Sequence, residues 1–313
     1  EKEISFKSGI NVMKNLSDKL WDSHLIKINN NEWFVEDKEE NKYNFFINDF
    51  TFKKNNLKIK FDIIFNAVHG APGENGQIIS FLELINLPYT GSNSYSSALT
   101  FNKRDCLSIL KNHGINSSNN YYLDKNQKID EDEIIKSVGL PCFVKANRSG
   151  SSFGIYKVYK KTELTLAIQK AFKEDSQLII ERALNGREFS VGVYRLNNEV
   201  KVLPITEIIS ENDFFDYSAK YEGKSEEITP AKLDDKNIKK LKSISIKIFK
   251  LLNLNGFTRS EFIIENNTPY LLDINTVPGL TNESILPKQL IAANISLESF
   301  FNDLLKEALN KNN

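Results

Sequence analysis

Apolar residues recur at two periods along this chain, and the switches between them set out its elements. Met13, Leu16 and Leu20 fall at helical spacing within residues 6–20. Residues 24–28, 32–35 and 61–68 read as strands, and residues 76–85 as a helix with Ile78, Phe81, Leu82 and Ile85 on one face. Pro88-Tyr89-Thr90-Gly91 closes this first unit. Strands alternating with helices predict a largely parallel sheet here. A helix over 102–112 leads into a second unit, with strands at 140–145 and 155–159, a helix at 162–172 and a strand at 177–181. The short glycine-bearing loop between its first two strands predicts a hairpin rather than a crossover. The third unit holds strands at 188–195 and 201–205, a polar stretch at 210–230 and a helix about 237–252. A final hairpin and two helical segments follow, and no internal repeat is visible.

The last hairpin, residues 257–281, carries the strongest chemical pattern. Its turn lies at Glu265-Asn266-Asn267-Thr268-Pro269. Pairing centred on Asn267 sets Glu261 opposite Asp273 and Arg259 opposite Asn275, and the even spacing puts all four on one face. Opposed side chains in an antiparallel pair have Cβ atoms roughly 5 Å apart, where like charges repel. Two carboxylates placed together call for a cation. Ligands that are all oxygen suit a hard ion such as Mg²⁺, which commonly shares its remaining positions with water and phosphate. A charged outer face would show the same residues, and a one-residue slip would separate them.

The 313 residues suffice for two or three domains. Lys and Arg number 41, as do Asp and Glu, so no basic field points to nucleic acid. No apolar run reaches the roughly 20 residues of a membrane span. Cys106 and Cys142 lie in no CxxC or Cys/His cluster and read as buried thiols in a reducing compartment. His24, His69 and His113 are too scattered to bind a metal by themselves. The chain opens without Met, already in a helix-like stretch, and a preceding segment is expected.

Four further stretches carry candidate chemistry. The loop at 149–154, after Lys145, has short side chains and lets backbone N–H groups approach a phosphate; an ordinary hairpin turn has the same composition. The segment at 68–76, with His69 and Gly70, follows a strand and precedes a helix, where α/β sheets often bind ligands. Residues 178–184, followed by Glu188, form an apolar strand ending in acids, suited to an adenine amino group or ribose hydroxyls. The stretch at 210–230 contains Asp216-Tyr217-Ser218-Ala219-Lys220-Tyr221 and reads as a lid or a surface loop. Glu222-Gly223-Lys224-Ser225 is not a phosphate loop, because Ser218 stands where its first glycine belongs.

In order and spacing these motifs resemble the ATP-grasp enzymes, and specifically the D-alanine–D-alanine ligases. The resemblance runs through Glu1-x-Glu3-x-Ser5 with Ser8-Gly9, His69-Gly70 with Gly73-Glu74-x-Gly76, and Leu87-Pro88-Tyr89-Thr90-Gly91-Ser92. It continues through Lys103, Val144-Lys145 with Gly150-Ser151-Ser152-x-Gly154, and Asp216-Tyr217 with Ala219-Lys220-Tyr221. It closes with Asn275-Thr276-x-Pro278-Gly279-x-Thr281 and Ser284. It implies a three-domain architecture, α+β overall: a parallel α/β domain at 1–98, then two α+β domains at 99–182 and 183–313 that sandwich ATP.

The resemblance also implies roles. ATP would meet Lys103 and Lys145 at its phosphates, Phe143, Glu181, Arg182, Ala183 and Leu184 at adenine, Glu188 at ribose, and Ser152 in the glycine loop. Lys220 on the lid would reach the γ-phosphate. Glu261, Asp273 and Asn275 would bind two Mg²⁺ ions, with Mn²⁺ as an alternative. The first D-alanine would be held by Glu1, His69, Ser284 and Ile285, and its carboxylate would attack the γ-phosphate. A second D-alanine would then attack the acylphosphate, with Arg259 and the Gly279 N–H stabilising the oxyanion; losing one such donor typically costs about 3 kcal/mol. Glu1, Ser151 and Tyr221 would form a triad joining the substrate to the lid. Tyr221 favours dipeptide over D-alanine–D-lactate formation, since the lactate-using relatives carry histidine there. A cytoplasmic homodimer in peptidoglycan precursor synthesis is implied, with another acceptor or a non-catalytic nucleotide-binding scaffold as alternatives. Three departures stand out. The acids at 261 and 273 are Glu then Asp, the reverse of the family's order. Ala146 and Ser149 replace other residues common there. The family's first strand and glycine-rich loop, which precede the position of Glu1, have no counterpart in the sequence.

Overall fold

The computed structural model describes residues 1–29, 32–150, 153–210 and 225–310. Its strands form three sheets, in all of which neighbouring strands pair antiparallel. The first is a meander of β1 (Leu25–Asn29), β2 (Glu32–Glu36), β3 (Lys42–Phe46), β4 (Thr51–Lys54) and β5 (Leu57–Lys60), each paired with the next. Between β4 and β5, Asn55 and Asn56 have φ of 51° and 62°. Two left-handed residues in succession make the tight turn that returns a strand beside itself.

The parallel sheet expected in this unit is therefore not what forms. Parallel neighbours need long crossovers, and the connections from β1 to β5 are short turns. Residues 61–68, expected as a strand, form no ladder; Ile64 makes a single parallel bridge to Tyr89. They border a cavity of about 540 Å³ whose other walls include Phe6, Val12 and Met13 and the β1 residues Leu25 and Ile26. A ladder needs a strand alongside over several residues at roughly 4.8 Å, whereas the segment 88–90 bridges to Ile64 alone. The first helix, α1 (Lys2–Asn15), begins and ends earlier than the apolar spacing predicts, leaving Leu20 exposed.

Three helices lead out of this unit: α2 (Gln77–Leu84), α3 (Ser94–Phe101) and α4 (Lys103–Asn112). Asn93 and Asn102 cap the last two, accepting from Ser96 N at 2.7 Å and Asp105 N at 3.1 Å. The second sheet runs β6–β9–β7–β8, from β6 (Asn120–Asp124), β7 (Cys142–Ala146), β8 (Ile155–Val158) and β9 (Gln177–Arg182). Its buried side chains, Leu123, Val144, Leu178 and Ile180, pack on Ile134 of α5 (Glu131–Val138) and Leu164 and Ile168 of α6 (Lys161–Ala171). The expected β7–β8 hairpin is present, with Lys145 opposite Ile155.

The third sheet runs β13–β12–β10–β14–β15, with β11 on the free part of β10. Its strands are β10 (Arg187–Leu196), β11 (Glu199–Val202), β12 (Thr206–Ser210), β13 (Ser225–Ile228), β14 (Phe257–Glu265) and β15 (Thr268–Asn275). Of the single strand expected at 201–205, only residues 201 and 202 are strand, at the end of β11, and 203–205 connect β11 to β12. The far end of the 210–230 stretch is strand rather than loop, since β13 pairs with β12. Helix α7 (Asp235–Leu251) lays Leu241, Ile248 and Phe249 on Phe189, Val191 and Phe262 in the largest core. The helices α8 (Ile285–Ala292) and α9 (Leu297–Asn310) complete the chain. No helix among the described residues is long and apolar enough to cross a membrane.

Candidate active site

The β14–β15 hairpin brings its acids together by a route the sequence did not show. Arg259 faces Asn275 and Glu261 faces Asp273, as expected. The turn, however, is only Asn266 and Asn267, with φ of 50° and 58°, and Glu265 pairs with Thr268. That register alone would set Glu261 against Leu272. A bulge after Glu261 removes Leu272 from the pairing, because Phe262 faces Leu271, and moves Asp273 into place.

Glu261 Oε1 receives Arg259 Nη1 at 2.7 Å, and the Ser190 hydroxyl lies 3.3 Å from both groups. Asp273 Oδ1 is buried and accepts no hydrogen bond among the described residues. A buried carboxylate oxygen in that state is costly unless a cation completes it. Among the described residues no group of three or more His, Cys, Asp and Glu side chains is placed to hold a metal ion. The donor set is two carboxylates and the Asn275 amide, all oxygen and on one face, which fits a hard divalent ion with positions left for water and phosphate.

Across from this hairpin, Phe143 and Lys145 share a face of β7, and Glu181 of β9 lies opposite Phe143. Lys145 Nζ pairs with Glu181 Oε2 at 2.7 Å and sits 5.6 Å from the Phe143 ring centre. Burial alone would depress the Lys145 ammonium, but Glu181, Asp273 and Glu188 together raise it, so it stays charged. Asp273 and Glu188 act on Lys145 across the gap, so the second sheet faces the acids of the third. Lys103 Nζ donates to the Ser149 carbonyl at 2.6 Å and ties α4 to the glycine loop. At the strand end, Arg182 forms a two-pronged pair with Glu265, and Asn185 N donates to the same carboxylate at 2.6 Å. Glu265 thus fixes the segment containing Ala183 and Leu184.

Glu1 stands where three segments meet. A Cβ on Gly70 would overlap Glu1 Oε2, and a Cβ on Gly150 would overlap Glu1 Oε1. The carboxylate thus occupies space that only two glycines leave open, one from each side. Next to Gly70, both ring nitrogens of His69 are engaged. Nδ1 lies 2.6 Å from the Val277 carbonyl, which can only accept, so Nδ1 carries the proton. Nε2 then accepts from the Ser8 hydroxyl at 2.8 Å, while Ser8 Oγ accepts from Leu280 N at 3.1 Å. Burial drives the His69 pKa down to about 4, so the ring is neutral. Glu74 is also buried: Oε2 accepts from Gly70 N at 3.1 Å, and Oε1 from Thr276 N at 3.2 Å and Val277 N at 3.5 Å. Desolvation raises its pKa to about 7.

The segment 276–281, which holds Gly279, is therefore carried by α1 and the 69–74 loop. Ser284 packs against it: its Oγ lies 2.8 Å from Thr281 Oγ1 and 2.7 Å from where a Gly279 Cβ would stand. A side chain at 279 would displace it. Ile285 follows as a buried first residue of α8.

The structure gathers Glu1, His69, Arg259, Glu261, Asp273, Asn275, Gly279, Ser284 and Ile285 around linked loops, and Lys103, Phe143, Lys145, Glu181 and Arg182 along the facing sheet. Glu188 lies on β10, opposite Ile263 of β14. The expected site residues Ser151, Ser152, Lys220 and Tyr221 lie outside the described residues. Ser8 and Glu74 stood in the motifs without an assigned role, and Ser190 was not singled out from the sequence. For Glu74 a signal existed, a carboxylate set between Gly73 and Gly76 in a ligand-type loop; Ser190, inside an apolar strand, gave none.

Comparison with known proteins follows the same outline. The family model described as D-ala D-ala ligase N-terminus matches residues 1–92, and the one described as D-ala D-ala ligase C-terminus matches 109–306. A D-alanine–D-alanine ligase of Flavobacterium johnsoniae is 50% identical over 309 residues, covering 99% of this chain and 96% of that protein. The crystal structure of D-alanyl-alanine synthetase A from Vibrio cholerae superposes with a TM-score of 0.86 at 26% identity, covering 98% of this chain and 94% of that one. A Bacillus anthracis D-alanine–D-alanine ligase complexed with ATP gives 0.78 at 26% identity, covering 99% and 94%.

Proposed function

The chain belongs to the D-alanine–D-alanine ligase family, and on that footing we propose a course of reaction for its own residues. It is an ATP-dependent ligase that joins two D-alanines into D-alanyl-D-alanine, releasing ADP and phosphate, for peptidoglycan precursor synthesis. ATP binds between the second and third sheets. Phe143 and the segment 181–184 take the adenine, Glu188 the ribose, and Lys103 and Lys145 neutralise the phosphates. Glu261, Asp273 and Asn275 would hold Mg²⁺ or Mn²⁺, which when bound supplies positive charge to the triphosphate. A Bacillus anthracis relative solved with ATP supports ATP as the nucleotide.

The first D-alanine directs its ammonium to Glu1 and its carboxylate to the γ-phosphorus. The carboxylate oxygen attacks, the bond to ADP breaks, and an acylphosphate forms. The amine of a second D-alanine attacks the acyl carbon. Arg259 and the Gly279 N–H receive the oxyanion, and phosphate leaves as the amide forms. His69, with both nitrogens engaged, acts by holding the 277–280 segment rather than by touching substrate. Ser284 and Ile285 take the first-substrate role carried over from the family. Ser151, Ser152, Lys220 and Tyr221 take the loop and lid roles carried over from the family. The three units at 1–98, 99–182 and 183–313 act as separate domains, the chain works as a homodimer, and its use of ATP supports a cytoplasmic site of action.

The observation that carries this reading is the Arg259–Glu261 pair at 2.7 Å facing Asp273, inside a chain matched at both ends by the ligase models. Purified protein incubated with ATP, Mg²⁺ and D-alanine tests it, with phosphate and product both followed. Release of phosphate with dipeptide, unchanged in product when D-lactate is added at neutral pH, is expected. Nucleotide binding without D-alanine-dependent phosphate would make the chain a scaffold, and a depsipeptide product would move it to the lactate-using type.

A further inference from the structure

Two loops on opposite sides of the reaction centre share one buried carboxylate. Glu74 Oε2 accepts from the Gly70 N–H at 3.1 Å, and Gly70 borders the Glu1 carboxylate. Glu74 Oε1 accepts from Thr276 N at 3.2 Å and Val277 N at 3.5 Å, two and three residues before Gly279. The Val277 carbonyl is in turn held by His69. We propose that Glu74 is a positioning residue that couples occupancy of the first-substrate acid, Glu1, to the placement of the Gly279 N–H in the oxyanion site. This rests on the ligase reading above.

Burying a carboxylate is expensive, and a hydroxyl would hold a loop amide at far smaller cost, as Ser8 does for Leu280. What a charged group adds is sensitivity to nearby charge. The Glu1 carboxylate lies close enough to disfavour ionisation of Glu74. An ammonium group on Glu1 cancels that repulsion. Glu74 then carries fuller negative charge and binds the Thr276 and Val277 amides more strongly, since hydrogen bonds to an ionised acceptor are roughly twice as strong as neutral ones. Binding of the first D-alanine would in this way set the donor that the second step uses. Neither Ser8 nor Asn11, which bonds the Leu280 carbonyl at 2.7 Å, can do this, because neither can change charge.

Glu74→Gln keeps size and reach but replaces one acceptor oxygen by an NH₂ donor. Glu74→Asp keeps the charge but shortens the arm. In both we expect kcat to fall about tenfold or more and the KM for the first D-alanine to rise, while the ATP Kd stays within about twofold. A purely structural residue would lower the melting temperature and the active fraction without dividing the kinetic constants in this way. A measurement on the unaltered protein guards against variants that do not fold: D-alanine alone should slow deuterium exchange at residues 276–280. The proposal is overturned by variants with parental kcat and D-alanine KM, or by exchange at 276–280 that ignores D-alanine. An unaltered protein that releases no D-alanine-dependent phosphate overturns the ligase reading itself, and the proposal with it.

Discussion

Replacing Gly150 with alanine separates catalysis from stability at one atom. The added Cβ would overlap Glu1 Oε1, with the rest of that carboxylate the next nearest group. Among the described residues nothing lies nearer than that carboxylate, so it is the end of a flexible side chain that must move. Gly150 is not among the residues with positive φ, so alanine brings no backbone strain and restricts the unfolded chain, worth about 0.4–1 kcal/mol in favour of folding. The carboxylate, by contrast, must retreat by roughly 1 Å to restore ordinary contact, a misplacement that can cost about a hundredfold in rate, or about 2.7 kcal/mol. The expected variant melts at or slightly above the parent temperature. It binds ATP normally and loses about a hundredfold in kcat/KM for D-alanine in a coupled ADP-release assay. Gly70→Ala is the contrasting case. It meets the other oxygen of the same carboxylate, but φ there is +68°, so it also loses about 1–2 kcal/mol of stability. A Gly150→Ala enzyme that melts normally and keeps its D-alanine kcat/KM would refute the argument that the two glycines exist to seat Glu1.

Two further outcomes follow from groups on the same face. Asp273→Asn removes one of two opposed carboxylates, so the metal-free protein should gain about 0.5 kcal/mol, whereas the rise in melting temperature caused by Mg²⁺ with ATP should largely vanish; calorimetry with and without both ligands reads the two effects. The pH dependence of stability should also divide by residue. Glu74 has its pKa raised from 4.5 to about 7, so the folded state holds the extra proton between those values and stability falls as pH rises through them. His69 has its pKa lowered from 6.5 to about 4, so the unfolded state holds the extra proton there and stability rises with pH over that window. Each is worth about 3 kcal/mol, with opposite sign. Melting followed from pH 4.5 to 6.5 should be nearly flat in the parent, rise in Glu74→Gln and fall in His69→Asn; parallel curves for all three would contradict the assigned burial.

The sequence disclosed the chemistry of the site more fully than its geometry. The alternation at Arg259, Glu261, Asp273 and Asn275 is a local, period-two signal, and it placed all four residues on one face correctly. The turn was read as five residues because symmetry about Asn267 required it. Two adjacent asparagines with positive φ make a shorter turn, and the bulge at Leu272 that compensates leaves no mark in composition. In the first unit, β3 to β5 are short and carry Lys and Asn at nearly every other position, so they lack the apolar runs that announce strands. Residues 61–68 carry such a run, yet an apolar run becomes a strand only with a partner beside it. Glu74 and His69 act on amides and carbonyls about two hundred positions away. Contacts of that kind arise from packing, and no window along the chain contains them.

The bulge at Leu272 also constrains how this hairpin can change. Facing of the two acids depends on the parity of the residues between them, not on their identity. Loss of one residue from the turn, or of the bulge alone, would rotate Asp273 to the opposite surface while leaving every ligand in the sequence. Two compensating changes, a longer turn and a regular ladder, would restore it. A segment transplanted from a relative therefore keeps its function only if turn and irregularity travel together, and a comparison that aligns the acids without the residues between them can miss a broken site.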